Sequence, residues 1–571
     1  MVGWLCALLV LGWLGGGVAS GSEAPTVAGY SREEALRLGE RMYREGLLPD
    51  GRPMTAFVMG DIPVDGRMFT CDDCHQRSGI GSKEGRVIVY PTNGKELYQP
   101  RRRNQAYRVP RGARPGDTGQ GYLPDHSNAP DARPAYTDET LALALRVGVD
   151  PTGRKLDYAM PRYVLGDRAM AVMIHYLKNL SSEPAPGVDG STLHFATVVS
   201  HDVPPADREA MLACLRAHVE AHNAQYRHEE RRAQWGVYYH TEKNVRYRRW
   251  ELDVWELQGP RDTWRSQLES YYRAKPVFAL IGGVATGSWE PIHRFCEEHQ
   301  LPCVLPITDL PVISETDWYT LYFSKGFYQE GEGAAKYLHA GGRAPQDVSV
   351  VQVVRKGERG AVTARGFREM WERLGHPPPA VRELPPDGEV APAWWNELGS
   401  AERPLAVLLW LETGVEEALE ALSRAARRPA LVFVSSSLLG PKLASIPDDV
   451  RDRVYLTYPR ALPGENETRR DAVRSWLRAR KIPLTNMDIQ SKMMFLGFMW
   501  PMAVAQMRSE FFREYFLEQF DMMIDQTYTI AVYPRLTFGP GQRYASKGCY
   551  IVQLTNGPAP VFLKRGDWVT H

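Results

Sequence analysis

The sequence predicts a multi-domain protein in which a small all-α domain precedes a two-lobed α/β domain. Before residue 181 the segments with regular apolar spacing are helical, whereas after residue 192 short apolar, strand-like runs alternate with amphipathic helices. The two parts are separated by residues 181–191, SSEPAPGVDGS, which have the composition of a linker. The second part spans about 380 residues, more than one hydrophobic core usually holds, so we expect two lobes.

Helical segments dominate the first part of the sequence. Ser31 followed by Glu34 forms a capping-box pattern at the start of the first helix, and helical spacing recurs at 137–147 and 168–180. The second part alternates strands and helices as parallel α/β sheets do. Its predicted strands are 193–199, 277–281, 303–307, 348–354, 405–411 and 431–435, and its predicted helices are 207–223, 289–299, 328–339 and 414–426.

The N-terminus has the pattern of a signal peptide. Residues 4–14 form an apolar run too short to span a bilayer, and small residues follow it, although no Lys or Arg precedes it. We therefore expect a signal peptide at 1–20 and a periplasmic protein. No other apolar run reaches about 18 residues, which predicts no membrane span in the mature chain. Lys plus Arg (69) balances Asp plus Glu (68), so bulk charge does not indicate a nucleic-acid partner.

The motif Cys71-Asp72-Asp73-Cys74-His75 predicts one covalently attached haem c. Two thiols add across the haem vinyl groups and the next imidazole coordinates the iron, which requires all three side chains on one haem face. A CxxC pair alone occurs in zinc sites, redox disulfides and haem sites, and the histidine that follows it favours haem. Cys71 and Cys74 are thus the predicted thioethers, and His75 is the predicted first axial ligand.

The second axial ligand is predicted to be Met160. It lies directly before Pro161, which restricts Met160 to an extended backbone and suits it to present its thioether from a loop. Met170 and Met173 lie within a predicted helix and are typical of a core. The other candidates for this position are Met54, Met59, Met68, His126 and His175.

The CDDCH motif, the Met160-Pro161 loop and the helix ending in YLKNL resemble a class I cytochrome c over residues 31–180. This resemblance implies that the terminal helix crosses the first helix. His–Met ligation implies a relatively high reduction potential and leaves no vacant iron position, which favours electron transfer over catalysis. The chain departs from the compact family pattern in a long insert after His75. That insert carries a set of arginines: Arg101, Arg102, Arg103, Arg108, Arg111 and Arg114.

The arginines of the insert have two interpretations. They could form a basic collar that steers an acidic periplasmic redox partner onto the haem edge. The simpler interpretation is a solvated loop.

Residues 193–571 resemble the type I periplasmic solute-binding proteins, the family of branched-chain amino-acid and amide receptors. The resemblance is carried by 208–223, 277–287 (VFALIGGVATG), 296–308 (CEEHQLPCVLPIT) and 348–366. We accordingly place the cytochrome c domain at 21–182, the linker at 183–192 and the binding domain at 193–571.

The resemblance implies a small-molecule site between the lobes. Such sites lie at carboxyl-terminal strand ends and helix N-termini, where backbone N–H groups favour an anionic group such as a carboxylate. Helix capping is the alternative role of each polar residue there. Arg359 stands where amino-acid receptors usually present a Tyr, and Ser436 provides no acidic clamp, which disfavours an amino-acid ligand. The matching positions are Thr286, Ser288, Thr308 and Asp309 in the first lobe and Glu358, Arg359, Trp410, Glu412 and Ser436 in the second.

Four cysteines remain for the second domain: Cys214, Cys296, Cys303 and Cys549. An even number in an oxidising compartment is compatible with disulfides, and Cys296 and Cys303 are close enough in sequence to bridge a helix end to the next strand. Buried thiols are the alternative, since cysteine is among the most buried residue types.

Three functions agree with these features. The leading hypothesis is a monohaem electron carrier whose fused domain recruits a solute or a partner protein. The alternative is a redox-aware solute receptor of the ABC-transporter type, in which ligand binding tunes the haem. The weaker alternative is a haem-dependent dehydrogenase that acts on a substrate in the cleft.

Overall fold

The computed structural model describes residues 26–59, 61–84, 87–101, 132–233, 248–341, 349–386, 390–398, 405–425, 428–557 and 559–570. Outside these residues lie the predicted signal peptide at 1–20, His126 and the arginines Arg102, Arg103, Arg108, Arg111 and Arg114. The chain divides into two compact units, Met1–Glu183 and Pro184–His571. Each unit has a hydrophobic core of its own.

The first unit combines helices with two small sheets. Its helices are α1 (Arg32–Glu45), α2 (Cys71–His75), α3 (Gly94–Leu97), α4 (Asp138–Val147) and α5 (Asp167–Asn179). Its strands are β1 (Thr55–Val58), β2 (Ile62–Asp65), β3 (Lys83–Glu84), β4 (Val87–Ile88) and β5 (Arg162–Tyr163).

The small sheets correct the prediction of an all-α domain. Strands β2, β1 and β5 form an antiparallel sheet, and β3 pairs with β4. Strands of two to four residues are too short to display a clear alternation of apolar and polar positions. The pairing of β5 with β1 also joins distant parts of the unit, which a local sequence pattern cannot reveal.

Helices α1 and α5 cross at Gly39. A Cβ atom at that position would lie 2.4 Å from Cβ of Tyr176, so glycine is what allows the two backbones to approach. The rings of Tyr43 and Tyr176 pack 5.5 Å apart at the same crossing. Helix α1 begins as predicted, because the Ser31 hydroxyl accepts a hydrogen bond from Glu34 N at 3.1 Å.

The Gly39→Val variant should destabilise the first unit by about 2 kcal/mol, since overpacking a tight contact typically costs 1–3 kcal/mol. Calorimetry of the full chain should show one transition at lower temperature. The matched control is Gly166→Ala at the start of α5, where an added Cβ meets no atom within 4 Å. Equal behaviour of the two variants would contradict a close crossing at Gly39.

The first lobe of the second unit contains a five-stranded parallel sheet in the order β10-β9-β8-β6-β7. Helices α6 (Pro205–Ala233), α7 (Trp264–Ala274) and α8 (Glu290–Glu298) connect its strands. The strands are β6 (Thr192–Ser200), β7 (Arg249–Leu257), β8 (Ala279–Ile281), β9 (Cys303–Val304) and β10 (Thr320–Leu321). Strand β7 was not predicted, because its sequence RWELDVWEL carries four charged residues and lies at the sheet edge, where half of a strand stays accessible.

The second lobe contains a sheet in the order β12-β11-β13-β14-β15-β18-β19, in which the first five strands are parallel and the last two antiparallel. Its helices are α9 (Phe327–Ala340), α10 (Gly360–Arg373), α11 (Pro392–Glu397), α12 (Val415–Arg424) and α13 (Ser436–Leu439). Its strands are β11 (Ser349–Arg355), β12 (Ala380–Leu384), β13 (Leu405–Trp410), β14 (Leu431–Ser435), β15 (Val454–Tyr458), β18 (Gly548–Leu554), β19 (Phe562–Lys564) and β20 (Val569–Thr570), which pairs with β18.

The parallel strands of both sheets follow the same order, 2-1-3-4-5 in chain sequence, which is that of doubly wound α/β folds. The prediction of two α/β lobes is thereby confirmed. After β15 the chain returns to the first lobe, where Val473, Met493 and Phe516 join its core. The elements of this return are α14 (Glu467–Ala479), α15 (Met487–Gln506), α16 (Arg513–Asp521), β16 (Thr527–Tyr528) and β17 (Leu536–Thr537).

Three chain crossovers connect the lobes, after β10, after β15 and before β18. The first and third crossovers are joined by two backbone hydrogen bonds: Tyr322 N donates to Arg543 O at 2.8 Å, and Ala545 N donates to Tyr322 O at 3.0 Å. The second is joined to the returning chain by a hydrogen bond from Ala461 N to Val532 O at 2.7 Å. All three crossovers thus lie in one hinge region.

The cysteines of the second unit are buried thiols. Cys214, Cys296, Cys303 and Cys549 are all inaccessible to solvent, and none of the described cysteines forms a disulfide. Burial raises the pKa of Cys214 to about 12. Of the two sequence-based alternatives, the structure has the buried thiols.

None of the helices in the described part of the chain is long and apolar enough to cross a membrane.

Candidate functional site

The CxxCH motif forms the short helix α2 of the first unit. Thr70 caps it: Thr70 N donates to an Asp73 carboxylate oxygen at 2.9 Å, and Asp73 N donates to the Thr70 hydroxyl at 3.4 Å. Cys71, Cys74 and His75 stand at helical positions i, i+3 and i+4, which share one face of a helix. The fold therefore presents both thiols and the imidazole together.

The ring of His75 is oriented by a backbone carbonyl. Its Nδ1 lies 2.8 Å from Tyr90 O, and because a carbonyl only accepts, Nδ1 carries the proton. The lone pair is therefore on Nε2, the arrangement found in metal-binding histidines. Burial lowers the pKa of His75, which favours the neutral ring that a metal requires.

Tyr163 connects the CxxCH helix with the Met160 loop. Its hydroxyl donates to Phe69 O at 2.9 Å and lies 3.9 Å from Cys71 Sγ. Tyr163 belongs to β5, which directly follows the loop. Both predicted ligand segments therefore lie against the same part of the first unit, and Met160 and Cys71 both pack half-buried against its core.

The Met160 loop is held by Arg162. The guanidinium donates to the carbonyls of Leu156 at 3.2 Å and Asp157 at 3.1 Å, and also to the carbonyl of Met160. A turn closes the loop, with Met160 N donating to Asp157 O at 3.2 Å. These contacts fix the backbone of the loop that carries the Met160 thioether.

The rival methionines fall into two groups, and the rival His175 is half-buried on α5. Met54, Met170 and Met173 are at most 4% exposed and belong to the core of the first unit. Met59 and Met68 are 61% and 71% exposed. Among the described residues the accessible thioethers near α2 are thus few, and Met160 is the one on a braced loop.

The first unit exposes several large apolar side chains. Eight of the fifteen large apolar side chains that are exposed in the described residues lie in this unit, the smaller of the two. Leu143 and Val147 share a face of α4, opposite its buried residues. The full set is Met59, Ile62, Met68, Phe69, Leu143, Val147, Tyr158 and Val164. The donor set and this apolar surface fit a haem c.

Of the predicted basic collar only Arg101 is described. Its guanidinium lies 4.4 Å from the centroid of the Tyr90 ring, the residue whose carbonyl orients His75. Arg133, which the sequence analysis did not single out, is buried and donates to the carbonyls of Leu97 at 3.2 Å and Glu96 at 2.9 Å. It has a structural role.

In the first lobe the predicted cleft residues lie at strand ends and make local hydrogen bonds. Ser288 Oγ accepts from Glu290 N at 3.2 Å, and Thr308 Oγ1 accepts from Leu310 N at 3.0 Å, so both hydroxyls cap turns. Thr286 donates its hydroxyl proton to Asp202. Asp309 is exposed.

In the second lobe three predicted cleft residues bind one another. Glu412 accepts from Arg359 N at 2.6 Å and from Arg359 Nε at 2.9 Å. Glu358 accepts from Glu412 N at 2.8 Å. This cluster closes the ends of β11 and β13, so its charges are largely compensated.

Two of the predicted cleft residues in the second lobe are buried. Trp410 is 0% exposed and its Nε1 donates to Gln352 Oε1 at 2.8 Å, so it is a core residue and not a cleft residue. The last position of a strand that is buried on both faces points its side chain into a helix layer. Ser436 is buried at the start of α13, where the Ser435 hydroxyl makes the cap.

Charges of the two lobes meet at the hinge region. The pKa of Arg359 is raised, first by its hydrogen bond to Glu412 and further by Asp309 of the other lobe. The pKa of Arg460, which follows β15, is raised by Asp488 and then Asp309, against the opposing effect of burial. Phe327 N donates to Asp309 O at 3.1 Å, and the Phe327 ring lies 5.0 Å from the Arg359 guanidinium, so the carboxyl ends of the two sheets meet near Phe327.

Sequence reasoning missed five residues of this region: Ser324, Glu330, Arg460, Lys492 and Tyr533. Arg460 follows β15, which was not predicted. Ser324 lies on the first crossover, Lys492 on α15 and Tyr533 between β16 and β17, whereas Glu330 lies on α9. Thr457 donates its hydroxyl proton to Glu330 at 2.6 Å, and burial raises the pKa of this carboxyl to about 7. Of these residues, only Lys492 could have been found from the sequence, because it is a charged residue within the apolar helical segment SKMMFLGFMW.

No protein-family model and no curated protein matches this chain. Among solved structures, the chain is similar to a putative branched-chain amino acid ABC transporter protein from Rhodospirillum rubrum, with 15% identity over 65% of this chain and 99% of that chain and a TM-score of 0.46. It is also similar to an ABC transporter substrate-binding protein from Sphaerobacter thermophilus, with 12% identity, 66% and 98% coverage and a TM-score of 0.45. A third similar structure is a branched-chain amino acid ABC transporter periplasmic ligand-binding protein from Burkholderia xenovorans, with 12% identity over 66% of this chain and 95% of that chain and a TM-score of 0.44.

Proposed function

We propose that the second unit is an extracytoplasmic solute-binding module that takes a small molecule between its lobes. The observation that carries this proposal is the meeting of both sheets' carboxyl ends at one hinge region, where Phe327 N donates to the Asp309 carbonyl of one lobe and the Phe327 ring lies 5.0 Å from the Arg359 guanidinium of the other. In open α/β sheets ligands bind outside the carboxyl ends of the strands. Two such edges around a hinge can close on a solute, as in receptors of the ABC-transporter type.

We further propose that the first unit carries one haem c, held by Cys71, Cys74, His75 and Met160. A haem held in this way supplies reversible one-electron exchange. The residues of the chain contribute the rest: Tyr90 keeps the His75 proton on Nδ1, and Arg162 fixes the Met160 loop. The apolar surface of the unit would exclude water from the ring.

Together these units favour a periplasmic, redox-aware solute receptor over a plain electron carrier. The supporting observation is that charged and polar side chains lie where the two lobes meet. A domain that only docked another protein would not need them there. Electron transfer to a periplasmic redox partner remains the second candidate function, and it is favoured by the exposed apolar side chains of Met68 and Phe69 directly before α2.

Covalent haem is tested by producing the full chain in a host that matures c-type cytochromes. The haem should remain with the protein after denaturation, and the Cys71→Ala/Cys74→Ala variant should lose it. A chain that folds normally without haem in that host would contradict the proposal.

Solute binding is tested with a thermal-shift panel on the same full-length protein. A solute at a hundred times its dissociation constant should stabilise the second unit by about 2.7 kcal/mol. The reduction potential is then measured with and without the solute. A changed potential supports the redox-aware receptor, an unchanged one supports independent units, and haem reduction by the solute alone would indicate a dehydrogenase.

A further inference from the structure

Lys492 is a buried cation in the hinge region. It lies on α15, is 8% exposed, and its ammonium is 5.7 Å from the centroid of the Phe323 ring and 5.4 Å from that of Tyr533. Within the described ranges no carboxylate, carbonyl or hydroxyl forms an ion pair or hydrogen bond with it. Asp488, one helical turn earlier, pairs with Arg460 instead.

A buried ammonium with only aromatic faces as neighbours is unusual. Buried charges in proteins are normally paired, because transfer out of water is costly and ring faces replace only part of the lost hydration. Lys325 of the same hinge region shows the usual arrangement. Its ammonium also lies over two rings, those of Tyr328 and Tyr544, but it is 2.8 Å from a Glu332 carboxylate oxygen.

The surroundings of Lys492 match a small ligand better than a structural partner. Phe323 and Ser324 lie on the first crossover, and the Tyr533 hydroxyl is 3.5 Å from Ser324 Oγ. Two hydroxyls therefore lie beside the rings that flank the ammonium. The two rings provide an apolar wall beside them. An anion with an apolar body could pair with the ammonium and pack against the two rings.

We propose that Lys492 binds the carboxylate of a small organic acid with an apolar body, with the hydroxyls of Ser324 and Tyr533 beside it. This inference rests on the proposed solute-binding function and names the class of solute. Because the Lys492 ammonium lies over the Phe323 ring, a carboxylate there would bind both the returning helix α15 and the first crossover.

The test uses full-length protein with benzoate and butanoate as probes, compared with benzamide, butanamide and benzylamine. The carboxylates should raise the unfolding temperature of the second unit and the amides and the amine should not. Shifts by the amides or the amine without shifts by the carboxylates would overturn the carboxylate proposal and leave the solute-binding function standing. No shift by any compound would count against both.

Two matched variants separate the role of Lys492 from a general effect on folding. Lys492→Met should weaken carboxylate binding by about 30-fold or more, the effect expected when one partner of a buried charge pair is lost. Without ligand it should leave the unfolding temperature nearly unchanged, because methionine keeps the packing against the Phe323 and Tyr533 rings. Lys325→Met should instead lower that temperature, because it removes the ammonium that pairs with Glu332. Unchanged carboxylate affinity in Lys492→Met would overturn the role of this residue, whatever the panel showed.

Discussion

Replacing Met160 with alanine is expected to lower the reduction potential of the full-length haem protein by on the order of 100 mV or more. Axial ligands set haem potentials over a range of roughly 0.8 V, and a thioether opposite histidine raises the potential. The variant removes the thioether but keeps the loop, because Arg162 holds the backbone carbonyls of Leu156 and Asp157. Potentiometric titration followed by visible absorption measures the change.

The control variants are Met59→Ala and Met68→Ala, which remove exposed thioethers from the same unit. Both should leave the potential within a few tens of millivolts, since neither side chain is predicted to reach the iron. A large change in Met68→Ala together with a small one in Met160→Ala would reassign the axial ligand to the segment directly before Cys71.

The common helical face of the CxxCH residues could be predicted from sequence because their spacing is local. Cys71, Cys74 and His75 stand within five residues, and a short helix is enough to place them on one face. What sequence could not give was the orientation of the ring, which depends on the carbonyl of Tyr90. That contact is set by the path of the loop after α2, for which no periodic pattern exists.

The cleft was harder to predict for a physical reason. Polar residues at strand ends can bind a ligand, cap a helix or pair with one another, and a sequence does not distinguish these roles. Ser288 and Thr308 cap turns, while Arg359 and Glu412 form an ion pair. The alternation of strands and helices did predict the two lobes, because it depends on many residues at once.

The residues that the prediction missed share one property. Arg460 and Lys492 come together through long-range crossovers, and neither stands next to a predicted strand. Strand β15 was not predicted because its five residues lie between two stretches of turns. Sites built at a hinge between lobes are therefore the part of such a fold that sequence patterns reveal least.

Glu330→Gln is expected to stabilise the second unit at pH 8 by about 1–3 kcal/mol and to have little effect near pH 4.5. Burial raises the pKa of Glu330 to about 7 from its ordinary 4.5, against the effects of Arg460 and of the hydroxyls around it. A carboxyl with a raised pKa stabilises the fold fully below its unfolded pKa, and this contribution is lost as the pH rises through the folded value; each pKa unit corresponds to about 1.4 kcal/mol. The glutamine amide oxygen can still accept the Thr457 hydroxyl proton.

The matched control for this prediction is Glu332→Gln on the same helix. Burial raises the pKa of Glu332 as well, but its carboxylate pairs with Lys325 at 2.8 Å, so neutralising it should destabilise the unit at pH 8. Urea unfolding at pH 4.5, 6 and 8 would separate the two cases. Parallel pH profiles for wild type and Glu330→Gln would contradict the titration of Glu330. A gap that opens between pH 4.5 and 8 would instead mean that the second unit is more stable when the carboxyl at this position is neutral.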